Sequence, residues 1–117
     1  MKAKNNDFKL LKVLSDRLDS SRGVYELVEL REYNGKKFKF IFTNSNGTPL
    51  GFDYKHCIDV FNVNNDSWQH LADKSDILAF SKHDIDCSSY YGSAEKLDLS
   101  RRYFMDACCE YLKVLYS

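Results

Sequence analysis

The dipeptide Asn34-Gly35 constrains this chain more than any other feature, because it stands between two runs with the composition of β-strands. Asn-Gly is a strong hairpin signal, since both residues tolerate the positive φ angles of turns that match the twist of paired strands. The flanking runs cover residues 24–33 and 36–43 and are rich in Val, Leu, Ile and Phe. We therefore predict a central β-hairpin over about residues 24–43.

This hairpin can form in two registers. A two-residue loop places charged residues opposite apolar ones, for example Glu29 opposite Phe40. A three-residue loop that begins at Tyr33 shifts the pairing by one residue and places Leu30 opposite Phe38. We predict the second register, because it pairs apolar with apolar and acid with base. Its apolar face, which we expect in the core, consists of Val28, Leu30, Phe38, Phe40 and Phe42.

An N-terminal helix is predicted from leucine spacing in residues 7–19. Leu11, Leu14 and Leu18 recur at the i, i+3 and i+7 positions of one helix face, behind a cap at Asp7. A strand would require alternation, which this segment does not show.

A long C-terminal helix is predicted behind a cap at Asp98 or Ser100. Its apolar stripe consists of Phe104, Ala107, Cys108, Tyr111, Leu112 and Leu115. Together these elements predict an α+β fold in which the N-terminal and C-terminal helices pack on one face of an antiparallel sheet. The length of 117 residues predicts a single domain, residues 1–117.

The apolar residues in 53–81 fit both the spacing of a helix and the alternation of a strand. Cys57 and Phe61 fit one face of a helix, whereas residues 57–62 also alternate as in a strand. We favour a short helix here, with the extended conformation as the alternative. Two further elements are expected in this stretch, a helical turn at 68–72 and a buried strand at 77–81.

Charge and hydropathy argue against several classes of protein. The chain has 17 Lys and Arg against 17 Asp and Glu, whereas a protein held on nucleic acid by total charge is normally basic. No apolar run approaches the roughly 18 residues of a membrane-spanning helix. Residues 1–7 do not lead into a signal region. We therefore expect a cytoplasmic protein whose four cysteines are reduced thiols.

The His and Cys residues match no familiar catalytic or metal-binding motif. His83 precedes Cys87 by four residues and His56 adjoins Cys57, but the paired ligands typical of structural zinc sites do not occur. Cys87, with His83 or His70 as the base and a neighbouring Asp to orient it, could form a nucleophilic catalytic set. This pattern is not specific, because any chain rich in Asp offers a similar combination. We expect no enzyme, no metal and no cofactor. A small-molecule site or minimal enzyme on these three residues is an alternative.

Charge is divided unevenly along the chain. Residues 1–55 carry eleven basic and seven acidic groups, a net of +4, and residues 56–117 carry six basic and ten acidic groups, a net of −4. Lysines near aromatic residues in the basic half suggest an alternative function, the binding of single-stranded nucleic acid by stacking and charge. Those residues are Lys36, Lys37, Lys39 and Lys55, with Phe38 and Tyr54.

The acidic half carries our preferred hypothesis. Residues 59–86 contain six Asp and two Lys, and they include the single Trp. Carboxylates around exposed aromatic rings suit a surface that steers towards and anchors on a basic protein. We expect a non-catalytic domain that neutralises a macromolecular partner, as a toxin-immunity protein or a phage-type inhibitor of a defence complex does. A second copy of the chain is an alternative partner. The expected contact residues are Trp68, Tyr90, Tyr91, Asp66, Asp73, Asp76, Asp84 and Asp86.

Overall fold

The computed structural model describes residues 7–19, 24–44, 55–87 and 94–116. Within these ranges the chain forms five strands followed by two helices. The strands are β1 (Lys9–Asp19), β2 (Val24–Tyr33), β3 (Lys36–Thr43), β4 (Lys55–Asn62) and β5 (Ser67–Ala72), and the helices are α1 (Lys74–Leu78) and α2 (Ala94–Leu115). Each strand pairs antiparallel with the next along the chain, so the sheet has the order β1-β2-β3-β4-β5.

The long helix α2 packs on one face of the sheet, which we call the inner face; the opposite face is the outer face. Phe42 stacks on Phe104 of α2 at 5.0 Å between ring centroids, and Phe38 contacts Tyr116 at 5.7 Å. Phe38, Phe40 and Phe42 are fully buried, as predicted. The structure thus confirms an α+β arrangement with an antiparallel sheet, a central hairpin and a C-terminal helix on one face.

The predicted N-terminal helix is wrong, because Lys9–Asp19 forms the edge strand β1. Its pairing with β2 shifts register twice, between Leu10 and Lys12 and between Val13 and Ser15. Each shift inserts one additional residue into β1, so residues three apart in β1 face alternate residues of β2. Leucines spaced three residues apart, a pattern typical of a helix face, therefore also fit a strand that contains bulges. The backbone of this strand forms its hydrogen bonds with β2.

The predicted three-residue loop of the hairpin is also wrong. Asn34 and Gly35 alone form the loop, with φ angles of 53° and 80°, and Tyr33 pairs with Lys36. Positive φ at both positions is the geometry of the type I′ turn, which the twist of paired strands favours. The turn therefore selects the register that sets Glu29 opposite Phe40.

That register is tolerated because the charged residues on the inner face of β2 neutralise each other. Arg31 donates from Nη2 and Nε to Glu29 Oε1 at 2.7 and 3.0 Å, and from Nη1 to the Phe8 carbonyl at 3.1 Å. A buried charge that is paired and hydrogen-bonded avoids most of the cost of desolvation. As a consequence Val28 and Leu30 lie on the outer face, half-buried, and the prediction that they join the three phenylalanines in the core is wrong.

In residues 55–78 the structure has strands where we favoured helices and a helix where we predicted a strand. The helix preferred around residue 57 is the strand β4, and the helical turn at Trp68 is the strand β5. Cys57 and Phe61 are four apart, and four residues return a side chain to the same face in a strand as well as in a helix. The strand predicted at residues 77–81 is wrong as well, since Ile77 lies in α1 and is buried in the core through that short helix.

The C-terminal helix is longer than predicted. It begins at Ala94, so the predicted caps Asp98 and Ser100 lie within its first two turns. Phe104, Ala107, Cys108 and Leu112 of the predicted stripe are buried, whereas Leu115 is exposed. In the described part of the chain, neither helix combines the length and apolar character needed to cross a membrane.

Candidate functional site

The strand β5 lies at one edge of the described sheet, and acidic residues stand at both of its ends. Asp66 precedes it with a φ of 53° in the turn that joins it to β4. Asp73 follows it at the start of α1, and the Asp76 carboxylate accepts a hydrogen bond from the Asp73 backbone N–H at 3.0 Å. All three carboxylates are exposed. We call residues 66–76 the β5 margin.

Trp68 lies at the start of this margin on the outer face, outside the core cluster of the described residues. Its half-buried indole ring packs edge-to-face with the ring of Phe61 on β4, with ring centroids 5.2 Å apart. The ammonium of Lys39 lies 4.3 Å from the centroid of the same ring. A cation over an indole face and a perpendicular aromatic neighbour both hold the ring in one orientation. Trp68 is therefore a rigid, partly exposed aromatic group.

A second group of polar side chains adjoins Trp68 on the outer face. His70 Nε2 lies 2.6 Å from an Asp73 carboxylate oxygen, and His70 Nδ1 lies 3.8 Å from Asp59 Oδ1. The Cys57 thiol approaches the same Asp59 oxygen at 3.9 Å. Burial, followed by the charge of Asp59, raises the pKa of Cys57 to about 11. Within the described ranges, Cys57, Asp59 and His70 form a group whose donor atoms lie close enough together to bind one metal ion.

The remaining predicted acidic contacts lie elsewhere. Asp84 and Asp86 follow α1 in a segment that runs along α2, where the Asp86 backbone N–H donates to the Ser100 hydroxyl at 3.3 Å. His83 in this segment stacks on Tyr103 of α2 at 4.0 Å. The predicted acidic surface is thus divided between the β5 margin and the helix side of the molecule. Tyr90 and Tyr91 lie outside the described residues.

The alternative small-molecule site is not assembled by the fold. His70 lies on the outer face, whereas His83 and Cys87 lie on the helix side. Burial raises the pKa of the Cys87 thiol to about 11, which is the opposite of an activated nucleophile. The Cys87 carbonyl accepts a hydrogen bond from the Tyr25 hydroxyl at 2.6 Å.

The lysines of the alternative nucleic-acid surface are also separated. Lys37 and Lys39 lie on the outer face, but Lys36 lies on the inner side, 5.8 Å from the ring centroid of Tyr116. Phe38 is fully buried and offers no ring for a base to stack on. Tyr54 lies outside the described residues.

Sequence reasoning missed the neighbours of Trp68. Lys39 was assigned only to the alternative nucleic-acid surface, and Phe61 was assigned no role in a site because the strand conformation of residues 55–62 was not recognised. The alternation from Cys57 to Asn62, followed by a polar turn, was the available signal. Comparison with protein-family models, with curated proteins and with solved structures gives no match to this chain. The function is accordingly argued from the geometry of the site.

Proposed function

We propose that this chain is a non-catalytic protein-binding domain that uses the β5 margin to cover the working surface of a basic macromolecule. The observation that supports this proposal is the placement of exposed carboxylates at both ends of the edge strand β5, which carries the partly exposed indole of Trp68: Asp66 before the strand, and Asp73 and Asp76 after it. A toxin-immunity protein or an inhibitor of a defence complex has this kind of function.

The two parts of the margin have different roles in binding. Exposed carboxylates act at a distance, so they raise the rate of association with a positively charged partner and lose that effect as salt screens them. An aromatic ring acts on contact, because it buries a large area at low cost in conformational entropy. Since Phe61 and Lys39 already restrict the Trp68 ring, little further ordering is needed when a partner packs against it.

The first test is capture of partners by the full chain from lysate of its native host, at low and at moderate salt, with bound protein and bound nucleic acid both identified. The proposal expects one stoichiometric basic protein. Trp68→Ala should then increase the dissociation rate of the purified partner at least about tenfold, as expected for an anchoring aromatic residue.

A charge-matched pair of variants separates steering by the margin from the effect of net charge. The triple variant Asp66→Asn, Asp73→Asn, Asp76→Asn removes three negative charges from the β5 margin. The control Asp84→Asn, Glu95→Gln, Asp106→Asn removes three exposed negative charges from the helix side. We expect the first variant alone to slow association by about tenfold at low salt. Equal slowing by both variants, or an association rate independent of salt, contradicts the proposal.

A second candidate function, the binding of single-stranded nucleic acid, is favoured by one observation. Trp68 and Phe61 lie on the same face of the sheet as Lys37 and Lys39, so rings and basic groups coincide there although Phe38 is buried. Because Trp68 is the only tryptophan, its fluorescence reports directly on stacking. Quenching by a short oligonucleotide, lost when Lys37 and Lys39 are replaced by Ala, would favour this function over the first.

A further inference from the structure

We propose that Cys57, Asp59 and His70 form a binding site for a divalent zinc-type cation on the outer face of the sheet. Each residue offers one donor atom, and the three atoms lie within 4.8 Å of one another. The set combines one sulfur, one oxygen and one nitrogen, which are the three ligand types that Zn²⁺ accepts. Ca²⁺ and Mg²⁺ prefer oxygen ligands alone, so this set does not suit them.

The distances fit a metal that draws the side chains together slightly. Zinc–ligand bonds of tetrahedral geometry separate neighbouring donor atoms by about 3.3–3.7 Å, the larger values applying to pairs that include sulfur. The observed separations are 3.8 Å from His70 Nδ1 to Asp59 Oδ1 and 3.9 Å from Cys57 Sγ to the same oxygen. Side-chain rotations that move these atoms by a few tenths of an ångström therefore bring both pairs to coordination distance, and the donor atoms of Cys57 and His70, which lie within 4.8 Å of each other, must approach further.

The backbone arranges these residues before any metal binds. Cys57 and Asp59 are alternate residues of β4, so both side chains project to the outer face. Asp59 pairs directly with His70 of β5, which places the imidazole beside the carboxylate. Ligands on two hydrogen-bonded strands need little ordering on binding, unlike ligands on a loop.

A fourth residue orients the imidazole. The Asp73 carboxylate lies 2.6 Å from His70 Nε2 and accepts its proton in a hydrogen bond. When Nε2 carries the proton, the lone pair of the neutral ring is on Nδ1, the atom that faces Asp59. A carboxylate that holds the second nitrogen of a metal-binding histidine is the usual outer contact of such sites. This contact is independent of the three-residue cluster and points to the same ligand.

The charges of the site also balance. Binding releases the Cys57 thiol proton to solvent, and the resulting thiolate and the Asp59 carboxylate together carry two negative charges. Neutral His70 adds none, so a divalent cation is neutralised by its ligands. Three protein ligands leave one position of a tetrahedral ion for water, and the side chain of His70 is 52% exposed on the solvent side of the cluster.

Titration of the chelator-treated full chain with Co²⁺ and then Zn²⁺ tests this proposal. Co²⁺ bound to a thiolate absorbs in the near ultraviolet, so the signal reports the sulfur ligand directly. We expect one Co²⁺ per chain, displaced by Zn²⁺, and quenching of the Trp68 fluorescence two residues from His70. Cys57→Ser should abolish the thiolate band, and His70→Gln should weaken binding at least about tenfold. Asp73→Asn should weaken binding by about tenfold while the thiolate band persists.

The controls replace His83 and Cys87, which are four residues apart in the sequence and lie on the helix side of the molecule. Cys87→Ser and His83→Gln should leave the Co²⁺ spectrum and affinity unchanged. Absence of a thiolate band in the parent chain, or a band that survives Cys57→Ser, overturns the proposal. Because Cys57 is buried and its replacement can impair folding, His70→Gln at an exposed position is the second test, and unchanged affinity in it also overturns the proposal. Cys57→Ser and His70→Gln remove no carboxylate from the β5 margin, whereas Asp73→Asn does, so the first two variants distinguish a failure of metal binding from a failure of partner binding.

Discussion

At the scale of single residues, the most consequential polar contact of the core joins three segments distant in sequence. The buried Tyr25 hydroxyl donates to the Cys87 carbonyl at 2.6 Å and lies 2.9 Å from His56 Nε2. A hydroxyl has one proton, so His56 Nε2 is the donor in the second contact. This fixes one neutral tautomer of an imidazole that also packs against Phe42 and Phe104.

Acid should destabilise the protein through His56. Burial, followed by the charge of Lys74, lowers the pKa of His56 from 6.5 to about 4. Between these values the unfolded chain binds a proton that the folded chain does not, so the free energy of unfolding falls as the pH is lowered from 6.5 to 4. The expected loss is about 3 kcal/mol, and it is absent above pH 6.5.

Urea unfolding at pH 7 and pH 4 measures this loss, with His56→Gln as the comparison because its amide can still donate to Tyr25. The variant should be less stable than the parent at pH 7 and should show a weaker dependence on pH. An identical dependence in both proteins would mean that other groups cause the acid sensitivity.

At the scale of elements, the sequence predicted local structure reliably where the backbone preferences of individual residues determine it. The position of the turn at Asn34-Gly35 was identified correctly but its preferred three-residue length was not, because the positive φ angles of these two residues decided the register against our preference for matched side chains. Side-chain matching failed as a criterion because it ignored contacts within one strand, above all the ion pair between Glu29 and Arg31.

Gly35→Ala should destabilise the hairpin by about 1–2 kcal/mol, because a side chain at a φ of 80° is strained. A Cβ built on Gly35 meets no atom of a residue beyond its two chain neighbours within 4 Å, so the cost lies in the local backbone conformation and not in a clash with the rest of the protein. Urea or thermal unfolding measures it. Asn34→Asp keeps a residue that tolerates positive φ and should change stability by less than about 0.5 kcal/mol. A neutral Gly35→Ala variant would contradict the two-residue turn.

At the scale of the whole molecule, α2 connects the two ends of the chain. Arg101 donates from Nη1 to Asp16 of β1 at 2.6 Å across 85 residues of sequence, and from Nη2 to Asp98 within the helix at 2.9 Å. This contact ties the edge strand to the helix that covers the inner face.

Arg101→Met should loosen β1 more than it weakens the protein as a whole. Amide hydrogen exchange over residues 15–19 should accelerate several-fold, with a loss of about 1 kcal/mol in global stability. Arg102→Met is the matched control, since Arg102 is 70% exposed and pairs with Asp98 of its own helix. Equal exchange rates in the two variants would show that the contact with Asp16 does not hold the strand.

The candidate site illustrates how little of a surface can be predicted without the fold. Trp68 and the acidic residues near it in sequence were named from composition and sequence proximity, which is why Asp66, Asp73 and Asp76 all fall next to the ends of β5. Asp84 and Asp86 were named on the same grounds, but the chain passes to the helix side after α1. Asp59 and His70 are eleven residues apart and meet only through strand pairing.

The sequence by itself determined the hairpin turn, the C-terminal helix, the burial of Phe38, Phe40 and Phe42, and the α+β class. These features depend on backbone preference and on a long apolar stripe, both of which act over neighbouring residues. Tertiary structure decided that residues 9–19, 55–62 and 67–72 are extended, because the neighbouring strands β2, β3 and β4 supply the hydrogen bonds that a helix would make internally. It also brought Cys57, Asp59 and His70 together, since pairing between β4 and β5 places residues from different strands side by side.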